Sequence, residues 1–441
     1  MDNSTRASGQ NLQDHWQYLV ETVGVRLAGS PQEGQAADYI ATQLEAGGAQ
    51  VAQEAFPVRR RLVHRESLDI RLGDHWQRFP CSLFSNTPGT AGEPVEAPLY
   101  FFESPAEYQR PDLSHLTGKA VVHLGCHIES RRHYQRLMEA RPAFLLFVDV
   151  RYPGAVPLAD GMFPAYTQAL GAVPTVNVAY LDAWEWNLAG ASAARLIVEG
   201  GMEAATSQNV VADLPGDNDN ELLLVGAHHD TQADSPGADD NASGVVALLE
   251  VARLLGQRPR KRPIRLISFG AEEQLSVGSA HYVRRHRDQL AQTARFMFNF
   301  DSFASPMGWT ELVCNGPDNL APLLRDHFAE DNLWIQTDDQ IMPYADHFPF
   351  VAAGLPAAYI GRRNCATGRF FHHRSDDDLR RISIPLVART IDSSVRLLDR
   401  LANEENLPIA LQIPVAQARQ ADIYWQDLFG GWDPPPRQDG P

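Results

Sequence analysis

The stretch ELLLVGAHHDTQADSPGADDNASGVVALLEVARLL (221–255) decides the reading of this chain. Its first seven residues form a short, nearly continuous apolar run, the pattern of a strand covered on both faces. A polar loop rich in His and Asp follows. Val245, Leu248, Leu249, Ala252 and Leu255 then recur at i, i+3, i+4, i+7 and i+10, which predicts an amphipathic helix. The pattern repeats downstream. Ile264 to Phe269, Ala294 to Phe300 and Leu355 to Ile360 read as further strands, and Pro385 to Leu401 as a closing helix. Alternation of this kind implies an α/β domain built on a largely parallel sheet.

In open α/β sheets, sites form outside the carboxyl ends of the strands. The residues that follow each expected strand are therefore informative. His228, His229 and Asp230 follow the first, and its loop then delivers Asp239, Asp240 and Asn241 just before a helix. Glu272 and Glu273 follow the second, Asp301 the third, and the segment past Leu355 to Ile360 leads to His372 and His373. Each piece alone has an ordinary explanation. An acidic pair before a helix caps it, Glu272-Glu273 is a solvated pair, and His372-His373-Arg374 is a surface loop. Together, two His, two Asp and a Glu supply N and O donors suited to zinc. With one carboxylate shared, five side chains suffice for two three-ligand positions that leave room for water. Glu272 neighbours a ligand without being needed as one, so it is free to act as a general base.

The remainder of the 441 residues narrows the function further. A net charge of −17 argues against a nucleic-acid partner, because phosphate binding needs a basic face. The basic runs Arg59 to Arg61 and Arg258 to Arg262 sit beside turn or strand signals and read as solvated loops. Cys81, Cys126, Cys314 and Cys365 are widely spread and suggest neither a disulfide framework nor a Cys-based zinc site. The polar N-terminus and the lack of a long apolar stretch point to a cytoplasmic protein without a membrane partner. Residues from about 12 to 47 read as helical around a loop at Arg26 to Pro31. Residues from about 60 to 200 alternate short β-rich runs, such as Ala120 to Leu124 and Phe144 to Val148, with Pro and Gly. That texture suggests a separate module without catalytic residues. The end, from Trp432 to Pro441, is rich in Pro and Gly and is expected to be disordered.

The motifs GAHHDT (226–231), PGADDNASG (236–244), AEEQLSVGS (271–279), FNFDS (298–302), DHFPF (346–350) and FHHRSDDDL (371–379) resemble, in order and spacing, those of the M28 zinc peptidases. That family includes bacterial aminopeptidases and glutamate carboxypeptidases. The opening GVRLAGSPQEGQAADYI (24–40) is similar as well. The resemblance implies a three-layer α/β/α sandwich with a mostly parallel, mixed central sheet, formed by residues 1–60 and 205–405. It also implies two zinc ions, one held by His228, Asp240 and Asp301 and the other by Asp240, Glu273 and His373, with Asp240 bridging. Glu272 matches the family's general base, and Asp230 the carboxylate that orients His228. The Asp240–Asn241 peptide bond is expected to be cis. LSHLTGKAVVHLG (113–125) and VPTVNVAYLDAWEW (173–186) are more loosely similar to the β-rich protease-associated domain inserted in several members. That places an insertion at 61–204 and a C-terminal extension at 406–441.

The sequence departs from the family pattern in one loop. His372 stands where many members have Tyr, and is the candidate donor to the oxyanion of the tetrahedral intermediate. Arg362, Arg363, Arg369 and Arg374 add positive charge nearby. They read as a solvated basic edge, with the sharper alternative that one of them pairs with a substrate carboxylate. The expected activity is hydrolysis of a peptide or amide bond, most simply as an aminopeptidase. The alternatives are a carboxypeptidase or dipeptidase, a glutaminyl-cyclase-like enzyme with one zinc, and a non-catalytic binding module or receptor.

Overall fold

The computed structural model of the protein describes residues 6–125, 127–128, 130–218 and 220–433. Its central sheet runs in the spatial order Gln336–Asp338, Trp309–Asn315, Ala357–Arg363, Ala294–Phe300, Leu222–His228, Ile264–Phe269 and then Ala193–Leu214. Leu222–His228 pairs in parallel with both neighbours, and Ala294–Phe300 in parallel with Ala357–Arg363. Trp309–Asn315 is parallel to Gln336–Asp338 but antiparallel to Ala357–Arg363, and Ala193–Leu214 is antiparallel to Ile264–Phe269, so the sheet is mixed but mostly parallel. The strand order reverses at Leu222–His228, which makes its carboxyl end the switch point where such sheets bind ligands.

Period-two alternation assigns each face its own core. Leu223, Val225 and Ala227 join Leu248, Ala252, Ile391 and Leu398 of the helices Ala242–Leu255 and Ile384–Asn403. Leu222 and Leu224 join Tyr282, Phe350 and Trp425 on the opposite face. Every residue of Leu222–His228 is buried, as its unbroken apolar run requires. This is the three-layer arrangement expected. The last central strand lies slightly later than expected, at Ala357–Arg363, because Pro356 denies the ladder a donor. Among the described residues no helix is long and apolar enough to cross a membrane.

A long ribbon has no counterpart in the sequence reading. Gln50–Leu72 pairs antiparallel with Ala193–Leu214, from Gln50 opposite Asp213 to Arg71 opposite Ala193. One end of the ribbon borders Ile264–Phe269. The other carries Val95–Glu103, Ala120–Gly125, Phe144–Asp149 and Thr175–Asn177, with the helices Arg131–Glu139, Pro164–Leu170 and Tyr180–Leu188. This end has its own core around Leu68, Val122, Leu146 and Trp186. The expected division at 60/61 and 204/205 crosses the ribbon near the Arg60–Glu203 pair, so both parts share one continuous sheet.

The same ribbon corrects the reading of Arg59 to Arg61, which lie within a strand and not in a loop. Arg60 pairs with Glu203 across the ladder, and Arg61 with Glu66 at 3.0 Å. Arg258 to Arg262 is likewise not a freely solvated run. Arg260 and Arg262 are buried, Arg260 donating to the Pro215 carbonyl and Arg262 pairing with Glu221 at 2.8 Å. Trp432, expected in a disordered tail, packs against Trp425 with ring centroids 4.8 Å apart. The rest of that tail, 434–441, lies outside the described residues.

Candidate metal centre

The loops leaving the carboxyl ends of the central strands meet in a cavity of about 520 Å³. Asp240, Glu272, Glu273, Asp301, His372 and His373 line it from the sheet side, and Arg151, Tyr152 and Asp160 from the part of the chain carried at the other end of the ribbon. Asp240 stands at the centre. Its Oδ1 lies 3.2 Å from Nε2 of His228, while its Oδ2 lies 3.2 Å from Nδ1 of His372 and 3.5 Å from Nε2 of His373. His228 Nε2 is also 3.5 Å from Asp301 Oδ1, and His373 Nε2 is 3.0 Å from Glu273 Oε2. The structure thus gathers all the expected ligand residues, with one oxygen of Asp240 facing each group. His372 reaches Asp240, but His373 alone of the two also reaches Glu273.

Local chemistry explains how each group is presented. His228 is the last residue of its strand. Asp230, fully buried, accepts from the Glu272 amide at 2.9 Å and the Glu273 amide at 3.2 Å, and its Oδ1 lies 3.5 Å from His228 Nδ1. One carboxylate therefore couples the first His to the acidic pair. The helix Ala242–Leu255 is capped by Asn241, whose Oδ1 accepts from the Gly244 amide at 2.8 Å. Asp240 is thereby left free of the capping role that an acid at this position often takes. The Asp240–Asn241 peptide bond is cis. Glu272 and Glu273 lie in a short 3₁₀ turn between Ala271, Leu275 and Ser276, with φ of 53°, 69° and 45°. Non-glycine residues in this region are costly and cluster where function demands them.

Several residues that sequence reasoning left without a role build this frame. Asp377, buried in the run after His373, accepts from the Asp239 amide at 2.9 Å and the Asp240 amide at 3.0 Å. Asp239 accepts from the Ala304 amide at 2.7 Å and from the Thr367 hydroxyl. The fully buried Arg26 donates to the carbonyls of His229, Gly24 and Pro236 at 2.8 Å each, fastening the N-terminal motif under the site. Burial draws its guanidinium down to about 10, against the pull of Asp230 and Asp377. Asp346 is fully buried, and burial, reinforced by Asp301 and Asp230, pushes its carboxyl up to about 8. All four belonged to motifs already quoted; only their burial, invisible in a sequence, separates them from solvated charges.

Three of the four arginines nearby are committed elsewhere. Arg374 is buried and spends its donors on the backbone carbonyls of Tyr152, Val156 and Phe370, so it is neither solvated nor available to a substrate carboxylate. Arg363 pairs with Glu311, and Arg362 donates to Thr310 Oγ1 and the Gly308 carbonyl. Arg369 is exposed at the cavity rim.

The electrostatics of the centre call for a cation. Burial pushes Glu272 and Asp301 upward, and Glu273 up to about 7, with neighbouring acids adding to each. Burial would discharge His228 and His373, but Asp301 and Glu272 around the first and Glu273 and Asp240 around the second hold both well above the usual imidazole range. Among the described residues no Lys or Arg forms an ion pair with Asp240, Glu272, Glu273 or Asp301. Oε1 of Glu273 is buried and has no hydrogen-bond partner among the described residues. The triads His228/Asp240/Asp301 and Asp240/His372/His373 each offer donor atoms within 4.8 Å of one another. Imidazole and carboxylate donors so arranged fit a divalent ion such as zinc.

A mostly parallel sheet, covered on both sides and bearing a His/Asp/Glu cluster at its switch point, defines the class: an α/β protein of the zinc-exopeptidase architecture. Residues 209–397 match the model of peptidase family M28. It is 25% identical over 417 residues to Aminopeptidase YwaD of Bacillus subtilis, spanning 92% of this chain and 87% of that protein. Its fold is similar to the crystal structure of BSAP, a zinc aminopeptidase from Bacillus subtilis, with a TM-score of 0.74 at 22% identity over 92% of this chain and 99% of that one. The Peptidase M28 precursor from Shewanella amazonensis gives a TM-score of 0.77 at 19% identity over 93% and 97% of the two chains.

Proposed function

We propose that the protein is a two-zinc aminopeptidase that hydrolyses the first peptide bond of its substrate. The observation that carries this reading is Asp240, whose two oxygens face separate His groups in the manner of a bridging ligand. His228, Asp240 and Asp301 would hold one ion, and Asp240, Glu273 and His373 the other. When bound, such a pair supplies Lewis acidity, acidifying water and polarising the scissile carbonyl.

The chain's own residues supply the rest. Glu272 borders the cavity with Oε2 3.9 Å from His228 Nε2, while its Oε1 accepts from the Ser276 hydroxyl at 3.0 Å. It takes a proton from the attacking water as the oxygen adds to the carbonyl carbon. It returns that proton to the nitrogen as the C–N bond breaks. Asp230 holds His228 and the Glu272 backbone in register. The His372 ring, kept neutral by burial and by the charge of His373, donates to the oxyanion. Residues 61–204 act as a protease-associated-like insertion. Tyr152 and Asp160 from that segment wall the cavity, in keeping with trimming chain ends rather than cleaving within a chain.

The test is a metal-quantified sample assayed against aminoacyl and carboxyl-terminal reporter substrates. Two zinc equivalents per chain and release of the aminoacyl reporter are expected. Glu272→Gln should keep both ions and lose roughly 10³-fold in kcat, the scale of general-base catalysis. Normal turnover in that variant overturns the mechanism. A single zinc equivalent with cyclisation of N-terminal glutamine would favour the glutaminyl-cyclase-like alternative.

A further inference from the structure

The two imidazoles proposed as ligands are secured differently. His228 Nδ1 lies 3.2 Å from the Asp230 carbonyl and 3.5 Å from its carboxylate. His373 Nδ1 is buried and has no hydrogen-bond partner among the described residues. Ligand histidines ordinarily use that second nitrogen to fix ring orientation. The orientation of His373 must therefore come from its backbone and from packing.

Both lead to the inserted segment. His373 has φ of 54°, a conformation that persists only where the surroundings enforce it. Its carbonyl accepts from the Ala159 amide at 3.0 Å. The next residue, Arg374, is 5% exposed and forms no ion pair among the described residues. Its Nη2 donates to the Tyr152 carbonyl at 2.9 Å, its Nε to the Val156 carbonyl at 3.2 Å, and its Nη1 to the Phe370 carbonyl at 2.7 Å. The Tyr152 ring lies 4.6 Å from the His372 ring, which stacks on His373 at 3.6 Å. The planar guanidinium presents several donors in fixed directions, which a Lys ammonium on a flexible stem does not reproduce.

We propose that Arg374 is a positioning residue: it clasps the His372–His373 loop to residues 152–156 of the inserted segment and so holds His373 where it can bind metal. The inference rests on the two-zinc reading above. Arg374 does not line the cavity, so it acts through His373 and not on the substrate.

The test is calorimetric titration of zinc into the metal-free full chain, with kinetics at saturating zinc alongside. In Arg374→Met one of the two binding steps should weaken 10- to 100-fold, the usual cost of losing a group that orients a ligand, while the other stays within about threefold. Excess zinc should recover much of kcat, and KM should change less than about twofold, since ground-state substrate contacts are intact. Arg374→Lys retains the charge but gathers its donors on one ammonium nitrogen, and serves if the Met variant does not fold; it should show the same selective loss to a smaller degree. Two normal zinc-binding steps in either folded variant overturn the clasp and leave the two-zinc reading standing. A wild-type chain that takes up no zinc overturns that reading, and the clasp with it.

Discussion

Both halves of the molecule end a parallel strand on a buried acid, and they treat it in opposite ways. In the part carried at the far end of the ribbon, Asp149 closes the strand Phe144–Asp149 with its side chain 1% exposed, and Arg151 pairs with it at 2.6 Å from two residues further on. In the central sheet, Glu272, Glu273 and Asp301 follow their strands into largely buried positions, with side chains 10%, 6% and 9% exposed, and among the described residues they meet His, other acids and, for Glu272 and Asp301, a Ser hydroxyl, but no Lys or Arg. A buried carboxylate is costly unless a cation or several donors compensate it. Asp149 carries its compensation in its own sequence. The central acids do not, and on the two-zinc reading a bound cation would fill that role. The difference between a structural acid and a ligand acid thus lies in who supplies the positive charge.

Removing the metal should separate the two halves most sharply. A ligand that binds only the folded state stabilises it by about 4 kcal/mol when present at 1,000 times its dissociation constant. Chelation should therefore lower Tm by several degrees and abolish hydrolysis, with hydrogen exchange accelerating around 228–241 and 271–276. Exchange in the strands Ala120–Gly125 and Phe144–Asp149 should be little changed. Uniform acceleration across both halves would refute the contrast.

The next effect belongs to the part that contains Asp149. Asp149→Asn removes the partner of an Arg151 side chain that is only one-third exposed. The loss should be about 1–2 kcal/mol, less than for a fully buried pair because solvent screens the guanidinium. Urea unfolding, with or without zinc, measures it. Asp301→Asn is the mirror experiment. In the metal-free chain it removes one of several repelling acids, so apo stability should hold or rise by up to about 1 kcal/mol, while zinc-induced stabilisation falls. A drop in apo stability as large as that of Asp149→Asn would show the central acids to be structural after all.

What the sequence could and could not reveal follows the same division. Leu222–His228 and Ala242–Leu255 were legible because burial on both faces leaves an unbroken apolar run and an amphipathic helix leaves a 3.6 period. His228, Asp240, Glu272, Glu273, Asp301 and His373 were legible because sheet topology places whatever follows such strands at one edge. The ribbon of Gln50–Leu72 and Ala193–Leu214 was not, because much of its length is half-exposed and it reads as a polar, Arg-bearing stretch. The burial of Asp377, Asp346 and Arg374 was not legible either. A charge at the end of a polar run looks solvated until the fold places carbonyls, amides or other acids around it.

Arg363 bounds the comparison from below. It lies at the cavity with its side chain 54% exposed and pairs with Glu311, whose side chain is 13% exposed. Unlike Arg151, it compensates an acid across an open, solvated contact, and such pairs contribute between nothing and about 1 kcal/mol. Arg363→Ala should therefore change unfolding free energy by less than about 0.5 kcal/mol. If the guanidinium does not receive a substrate carboxylate, KM for aminoacyl reporters and for dipeptides with a free carboxyl terminus should shift equally and by less than about twofold. A selective rise in KM for the free-carboxylate substrates would reassign Arg363 from the acid beside it to the substrate, and the expected preference from aminoacyl amides to dipeptides.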